Sequence, residues 1–412
     1  NLMTECAELF YDKDKSFLDK LDSYNHLLGC QNGVYDLTKN LFRRGRPEDY
    51  ISRTTKVDYI PYDPNSDEIK EIEQFLKTIF VIKSVRKYCM RRVGSFLSGS
   101  TKDETFDVFS GGGGNGKSKF IEMIERALGE YCAKLPITLL TGKRAASNAA
   151  SPELAKTKGV RLCTLQEPDT NTKLNVGLMK ELTGGDKIQA RALFSEPFEF
   201  KPQFKLVLCC NDKPELPPHD DGTWRRVRNT EFLSKFTYEP SLNKALEFKI
   251  DSELSNKFDS WAEPCLSLLI HYHKEYAQYG APPPDEILQY TEEYRATNNH
   301  FRDFISDHVE DVPNQASPDD FVSLKDAYDK YKEWYRENYN DSKVKKRKEL
   351  QVYLDSKYGA YYPPGLRPGD KGYRGIQLRD PPNKKLQGKL SITDTISDDC
   401  VIVNDDEDEL DM

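Results

Sequence analysis

Nowhere in the 412 residues does an apolar run last long enough to cross a bilayer, so no membrane span is expected. No C-x-x-C pair occurs among the nine cysteines, at 6, 30, 89, 132, 163, 209, 210, 265 and 400, and no histidines stand near them at zinc spacing. That argues against the usual structural zinc modules and leaves the cysteines as reduced, intracellular side chains. His271 and His273 in "IHYHKEY" sit two positions apart, so on a helix they point to different faces and read as structural. No internal repeat is visible, which argues against a repeat array. Nothing near the start resembles a signal peptide, and with Asn1 first rather than Met the expectation is a piece of a longer polypeptide.

What is present is a chain too long for one ordinary core, so two or three domains are expected. The net charge of −8 hides an asymmetry. Residues 391–412 carry nine acids and no Lys or Arg, whereas 341–390 hold thirteen Lys or Arg against five acids. The basic block suits nucleic acid, and "NDDEDELDM" reads as a disordered, self-repelling tail.

Composition divides the chain into residues 1–97, 98–280, 281–390 and the acidic tail 391–412. The first part mixes helical periodicity, as in "EIKEIEQFLKTIF", with "CQNGVYDLTKN", whose Asn-Gly suggests a hairpin. The second alternates short β-type runs with helical segments, the mark of an α/β layer fold. After the "APPPDE" break come helical patterns near 299–309, 323–338 and 344–357 and a Gly/Pro-rich stretch. Those are the parts of a winged-helix module, and equally of a helical packing domain.

"TFDVFS" at 105–110 is a β-type run, and from Lys117 the residues Phe120, Met123, Ile124, Ala127 and Leu128 make a helix face. Between them lie Gly111, Gly112, Gly113, Gly114, Asn115, Gly116, Lys117, Ser118 and Lys119, which satisfy G-x-x-x-x-G-K-[ST] in the strand-to-helix context a P-loop requires. Glycines let amide N–H groups converge on phosphate oxygens, and the helix dipole adds positive potential. Lys117 is placed to reach the β- and γ-phosphates and Ser118 to ligate Mg²⁺. Kinase, GTPase and motor ATPase all remain open at this point.

Three later segments discriminate. "GVRLCTLQEPD" ends a second β-type run in Glu167 and Asp169; acids there can hold Mg²⁺ through water and polarise the attacking water, with Glu167 the first choice. "FKLVLCC" ends in Asn211, an amide able to orient water or contact the γ-phosphate without adding charge. "DGTWRRVRN" supplies Arg225, Arg226 and Arg228, guanidiniums suited to a transferred phosphoryl group. If that segment is extended, Arg226 and Arg228 share one face and Arg225 takes the other.

The series "GGGGNGKS", "LCTLQEPD", "LMKELTGGDKIQARALFSEPFEFKPQFKLVLCCND", "GTWRRVR" resembles the superfamily 3 helicase core of the poxvirus-type primase-helicase family of large DNA viruses and phages. The likeness is close over roughly residues 25–240. It implies an α/β, AAA+-like P-loop ATPase core between a helical N-terminal collar and a C-terminal winged-helix-like domain. It implies a ring, a hexamer, that binds ATP and Mg²⁺ and travels on single-stranded or forked DNA. A primase domain would lie elsewhere in the longer polypeptide, and the place of action would be viral replication sites in the host cytoplasm or nucleus. On the family pattern Lys117 and Ser118 match Walker A, Glu167 the Walker B region, Asn211 the sensor, and Arg225 or Arg226 the arginine finger. Pro168-Asp169 stands where the family often has a second acid, so the division of labour between Glu167 and Asp169 is open.

Residues 187–201 alternate well enough for a two-stranded hairpin with "ALFSE" at its bend. In related helicases such a hairpin grips DNA in the ring channel. Lys187 and Arg191 then meet phosphates and Phe194 stacks on a base; the rival is a hairpin lying on the sheet with Phe194 buried. Lys345, Lys346, Arg347 and Lys348 form a second candidate DNA contact or an exposed basic helix end.

Overall fold

The computed structural model describes residues 5, 16–141, 150–166, 173–241, 243–312, 321–339, 344–362 and 371–379. They belong to two compact units, Asn1–Arg295 and Ala296–Met412.

In the first unit a short helix, Ser16–Lys20, precedes an antiparallel sheet of β1 (Leu27–Cys30), β2 (Gly33–Asp36) and β3 (Leu41–Arg43). The expected hairpin is here: Cys30 pairs with Gly33 across Gln31-Asn32. Gly33 is required because a Cβ would come within 2.6 Å of the Arg43 carbonyl. Helix α1 (Asp67–Ile79) starts where the Ser66 side chain accepts the Ile69 amide, and it buries Ile69, Ile72, Phe75, Leu76 and Ile79 along one stripe. Helix α2 is Lys83–Gly94. The described residues of the region 1–97 are thus part sheet, part helix.

Side chains of this region also reach far along the chain. Buried Arg92 of α2 donates from Nε and Nη2 to the carboxylate of Asp107, at 3.1 and 2.9 Å, and Arg53 donates to the carbonyls of Glu130, Lys156 and Lys158. A buried ion pair of this kind fixes two elements in one arrangement, since parting it would strand both charges.

The central layer comprises β4 (Phe106–Ser110), α3 (Lys117–Leu128), β5 (Cys132–Leu135), β6 (Leu162–Gln166), α4 (Val176–Gly184), β7 (Ile188–Ala190), β8 (Phe198–Phe200), β9 (Lys205–Cys210) and β10 (Val227–Glu231). After these come β11 (Lys235–Thr237), β12 (Glu247–Lys249), α5 (Leu254–Tyr279) and α6 (Asp285–Thr297). Five strands pair in the order β10-β4-β9-β6-β5, all parallel. Both faces are covered, which explains the near-continuous apolar runs of β4, β6 and β9. One face carries Phe106, Val108, Cys163, Leu165, Leu206 and Leu208 against Met179, Leu182 and Phe200. On the other, Phe109 meets Phe120 and Phe232, and Phe80 meets Phe120 edge-on at 5.1 Å.

From β4 the chain leaves for the far edge at β5, returns inward through β6 and β9, then crosses β4 to reach β10. The direction of crossover therefore changes at β4, and the crevice beyond the carboxyl ends of β4 and β9 is where such sheets bind ligands. The compact unit continues past the Pro-rich break at 281–286 as far as Arg295. Helix α6 is the reason: it buries Ile287, Tyr290 and Tyr294, and its Thr291 hydroxyl accepts the Asn229 amide on edge strand β10, at 3.0 Å.

The second unit contains α7 (His300–His308), β13 (Val309–Asp311), β14 (Val322–Ser323), α8 (Leu324–Tyr339), α9 (Arg347–Tyr358), β15 (Gly372–Tyr373) and β16 (Ile376–Leu378). β13 pairs antiparallel with β16 and β14 with β15. Phe304, Tyr331, Leu350, Leu354, Tyr373 and Ile376 form its core. All three expected helices are present within a few residues of their predicted bounds. The acidic tail lies outside the described residues. Among the described residues no helix is long and apolar enough to cross a membrane.

Candidate active site

The glycine-rich segment runs from the last residue of β4 to the first of α3. Gly111, Gly114 and Gly116 have φ of 140°, 74° and 86°, a region that other residues enter only with strain. At Gly111 a Cβ would also come within 2.5 Å of the Asn115 amide nitrogen and 2.7 Å of the Phe232 carbonyl. Gly112 and Gly113 face open space, with nothing within 4 Å of the place a Cβ would take. A loop pinned at its base and bare at its crest can wrap an anion with amide N–H groups. Buried Asn115 holds the base: its Oδ1 accepts the Lys117 amide at 3.4 Å and its Nδ2 donates to the Phe232 carbonyl at 3.5 Å.

Lys117 is buried, and its Nζ donates to the Gly111 carbonyl at 2.6 Å and to Asn211 Oδ1 at 3.1 Å. Asn211 directly follows β9, so the strand order brings residues 94 positions apart to one point. Ser118 is exposed on the first turn of α3 beside the open crest. Lys119 turns away, tied to Glu122 Oε2 at 2.9 Å and to the Ser255 hydroxyl on α5; only its backbone belongs to the loop. Glu167 and Asp169 lie outside the described residues, but β6 ends at exposed Gln166, one residue before Glu167 and level with Cys209 of β9. The donors gathered here suit a triphosphate and a hard cation: amides, one ammonium, one hydroxyl and one neutral amide side chain.

The arginines stand at the other end of the sheet. The Phe106 amide, at the start of β4, donates to the Arg226 carbonyl at 2.8 Å. Since β4 has five residues, the arginine end is about 17 Å from the glycine loop of its own chain. The extended conformation expected for 225–228 holds only from Val227 onward. Asp220 caps a one-turn helix, Asp221–Trp224, by accepting from the Thr223 amide and hydroxyl, and Arg225 closes it in a right-handed helical conformation. Arg225 therefore projects, with 65% of its side chain exposed, while Arg226 keeps 9%. Arg226 donates to the Gly222 carbonyl at 2.8 Å, and both guanidiniums donate to Glu104 Oε2, Arg225 at 3.2 Å and Arg226 at 2.6 Å.

The chain matches a family model described as "D5 N terminal like" over residues 1–81, and one described as a family of unknown function over residues 109–226. It is 40% identical to "Putative helicase L207/L206" of Acanthamoeba polyphaga mimivirus, over 87% of this chain and 38% of that protein. It is 27% identical to "Putative helicase 022R" of Frog virus 3, over 84% and 42%. With "Putative primase C962R" of African swine fever virus it shares 27% identity, over 80% and 35%. The chain belongs to the viral primase-helicase family. It spans about two fifths of the length of the first relatives it matches. One solved structure, the apo form of the NrS-1 C terminal region, aligns with 12% identity and a TM-score of 0.40 over 61% of this chain and 59% of that one.

The structure also describes the two segments that the sequence offers as candidate DNA contacts. β7 and β8 form the hairpin, antiparallel with Ala190 opposite Phe198. Ile188, Ala190 and Phe200 of its strands pack into the core against the sheet, so the hairpin does lie on the sheet, while Phe194 sits at its tip fully exposed, with φ of 57°, beside exposed Leu193. Lys187 is exposed at the hairpin's foot, and Arg191 Nε is held by the Ser195 carbonyl at 2.9 Å. Of the basic cluster, Lys346 is the N-cap of α9 and Arg347 and Lys348 occupy its first turn, exposed; the Lys345 carbonyl accepts the Tyr328 hydroxyl.

Some neighbours of the site carry no motif. Asn229 is fully buried, accepts the Ser110 hydroxyl at 2.8 Å and donates to the Tyr290 carbonyl, tying the last residue of β4 to α6. Glu104 and Asn229 meet their partners across 122 and 119 residues, so no local pattern announces them. His271 and His273 serve packing: His271 stacks on Tyr62 at 4.5 Å, and His273, pushed down to a pKa of about 4 by burial, contacts the Gly94 carbonyl through Nδ1. The described cysteines are free thiols, and burial pushes most of them up, Cys209 to about 12.

Proposed function

We propose that this chain is the ATP-driven DNA helicase part of a viral replicative primase-helicase, acting as a ring, a hexamer, in which each nucleotide is hydrolysed between neighbouring subunits. The observation that carries the reading is the separation of the Lys117–Asn211 crevice from Arg225 and Arg226 by the length of one parallel sheet. An arginine so placed cannot reach its own loop, whereas a neighbour's loop is within its reach in a head-to-tail contact.

In this reading the amides of Gly112 to Gly116 and the Lys117 ammonium hold the β- and γ-phosphates. Lys117 exchanges its contacts to Gly111 and Asn211 for phosphate oxygens. Asn211, released from Lys117, orients the attacking water or the γ-phosphate, and Glu167, with Asp169 beside it, accepts the water's proton. Ser118 and Glu167 would hold Mg²⁺, which would supply positive charge against that of the phosphates. Arg225 of the next subunit stabilises the charge that develops on the transferred group, so that catalysis consists of positioning and electrostatics.

DNA is the proposed track. Exposed Phe194 offers a base-stacking face, with Lys187 and Arg191 near it for phosphates. The second unit, with three helices and two short antiparallel pairs, supports a winged-helix-like reading, and the region before β4 is the proposed collar. A ring ATPase that loads or packages DNA without unwinding it fits the same crevice. Strand displacement on a forked duplex separates the two: the wild-type chain with ATP and Mg²⁺ releases the strand and Lys117→Ala does not. ATP hydrolysis stimulated by DNA without any strand release sinks the helicase reading.

A further inference from the structure

The carboxylate of Glu104 is where the two arginines meet, and nothing in the sequence pattern points to it. Glu104 sits in the turn before β4 with φ of 48°, a conformation that non-glycine residues seldom adopt, and its side chain meets the arginine segment. One oxygen, Oε2, accepts from both guanidiniums. Two cations share one anion, so the cluster keeps an excess positive charge. The two arginines are held unequally. Arg226 is buried and has the Gly222 carbonyl as a second acceptor, while Arg225 is mostly exposed and its bond to Glu104 is the longer one. Removing the carboxylate would leave a buried guanidinium without its counter-charge and beside a second cation, an arrangement that relaxes only by moving one of them.

We propose that Glu104 is the positioning residue of the arginine end. It fixes Arg226 as a strut and holds Arg225 at the surface, ready to leave for the phosphates of a neighbouring subunit. This rests on the reading of Arg225 as acting across a seam. Glu104 touches no nucleotide in this scheme; it acts through the arginines. Its loss therefore lowers turnover without altering the pocket that binds ATP.

The test is steady-state ATP hydrolysis by the full 412-residue chain with saturating DNA, comparing wild type with Glu104→Gln and Glu104→Asp. Glu104→Gln is expected to lower kcat by about tenfold or more with the KM for ATP within about twofold, and Glu104→Asp, which keeps the charge, to recover part of the loss. Mixing then locates the defect. Glu104→Gln contributes a sound glycine loop and Lys117→Ala a sound arginine end, so the mixture regains turnover that neither has alone; Glu104→Gln mixed with Arg225→Ala does not. A wild-type kcat for Glu104→Gln overturns the proposal. So does a mixture with Lys117→Ala that stays inactive while Arg225→Ala with Lys117→Ala recovers, because Glu104 would then serve only its own fold. If Arg225→Ala with Lys117→Ala also fails to recover, the seam itself is wrong and the proposal falls with it.

Discussion

Lys117 Nζ lies 3.1 Å from Asn211 Oδ1, so the fold brings together the ammonium and the side-chain amide that are proposed to flank a γ-phosphate. Two donors of the lysine are thereby kept near the position they would occupy on phosphate, which lowers the reorganisation needed on binding. Lys117→Ala is expected to remove ATP hydrolysis, by about 100-fold or more. Asn211→Ala is expected to lower kcat by about 10- to 100-fold while nucleotide binding, followed with a fluorescent ATP analogue, stays within a few-fold. Asn211→Ala at the wild-type rate would remove that residue from the reaction.

The unequal burial of the arginines separates their mutants. Arg225→Ala should abolish turnover with ATP binding kept and the melting temperature nearly unchanged, as expected for an exposed pair. Arg226→Ala should also abolish turnover but lower stability by about 1–3 kcal/mol, because it empties a buried position. Thermal melts alongside ATPase assays read both. Wild-type rates for the two mutants would discard the finger assignment.

At the hairpin tip, Phe194 touches solvent on all sides. Phe194→Ala should therefore leave stability within about 0.5 kcal/mol yet weaken single-strand binding by about 1–3 kcal/mol. Fluorescence anisotropy with a labelled oligonucleotide measures the loss; unchanged affinity would return the tip to a bystander.

Arg347 and Lys348 begin α9, the end of a helix at which positive charge is unfavourable. Local stability does not account for them. Reversing both to Glu should raise the melting temperature and reduce the salt dependence of DNA binding, by a slope of about 1 for each phosphate no longer neutralised. A variant with the original affinity and slope places the DNA elsewhere.

His273 predicts an acid limb. Its folded pKa, about 4, is below the ordinary 6.5, so between those values the unfolded chain binds the extra proton and stability rises with pH. The contribution is full above about 6.5, declines on acidification and is exhausted below about 4. Between pH 7 and pH 5 the wild type should lose about 2 kcal/mol more than His273→Gln, measured by urea unfolding. Parallel losses in the two proteins would show that another group governs the limb.

Much of the fold is legible in the sequence because it is local. A β-run, a glycine segment with Lys117 and Ser118, and an amphipathic helix in order specify a strand, a turn and a helix whatever the rest of the chain does. Likewise the apolar run "FKLVLCC" specifies a strand that ends just before Asn211. The arginine segment departs from the expected strand at its start because one capping residue, Asp220, outweighs the alternation of side chains and winds residues 221–224 into a helical turn. The limit of the first compact unit is set not by the prolines at 281–286 but by Tyr290 and Tyr294, whose burial depends on the β10 edge they cover. Glu104 and Asn229 were out of reach, since each acquires its partner only when β10 is laid beside β4.

A sheet with unlike chemistry at its two ends gives each molecule a front and a back. Under the seam proposed above, a ring in which each copy follows the last by the same rotation would repeat one front-to-back contact throughout. Such a ring would have no preference for even numbers, and it would have a built-in sense of rotation.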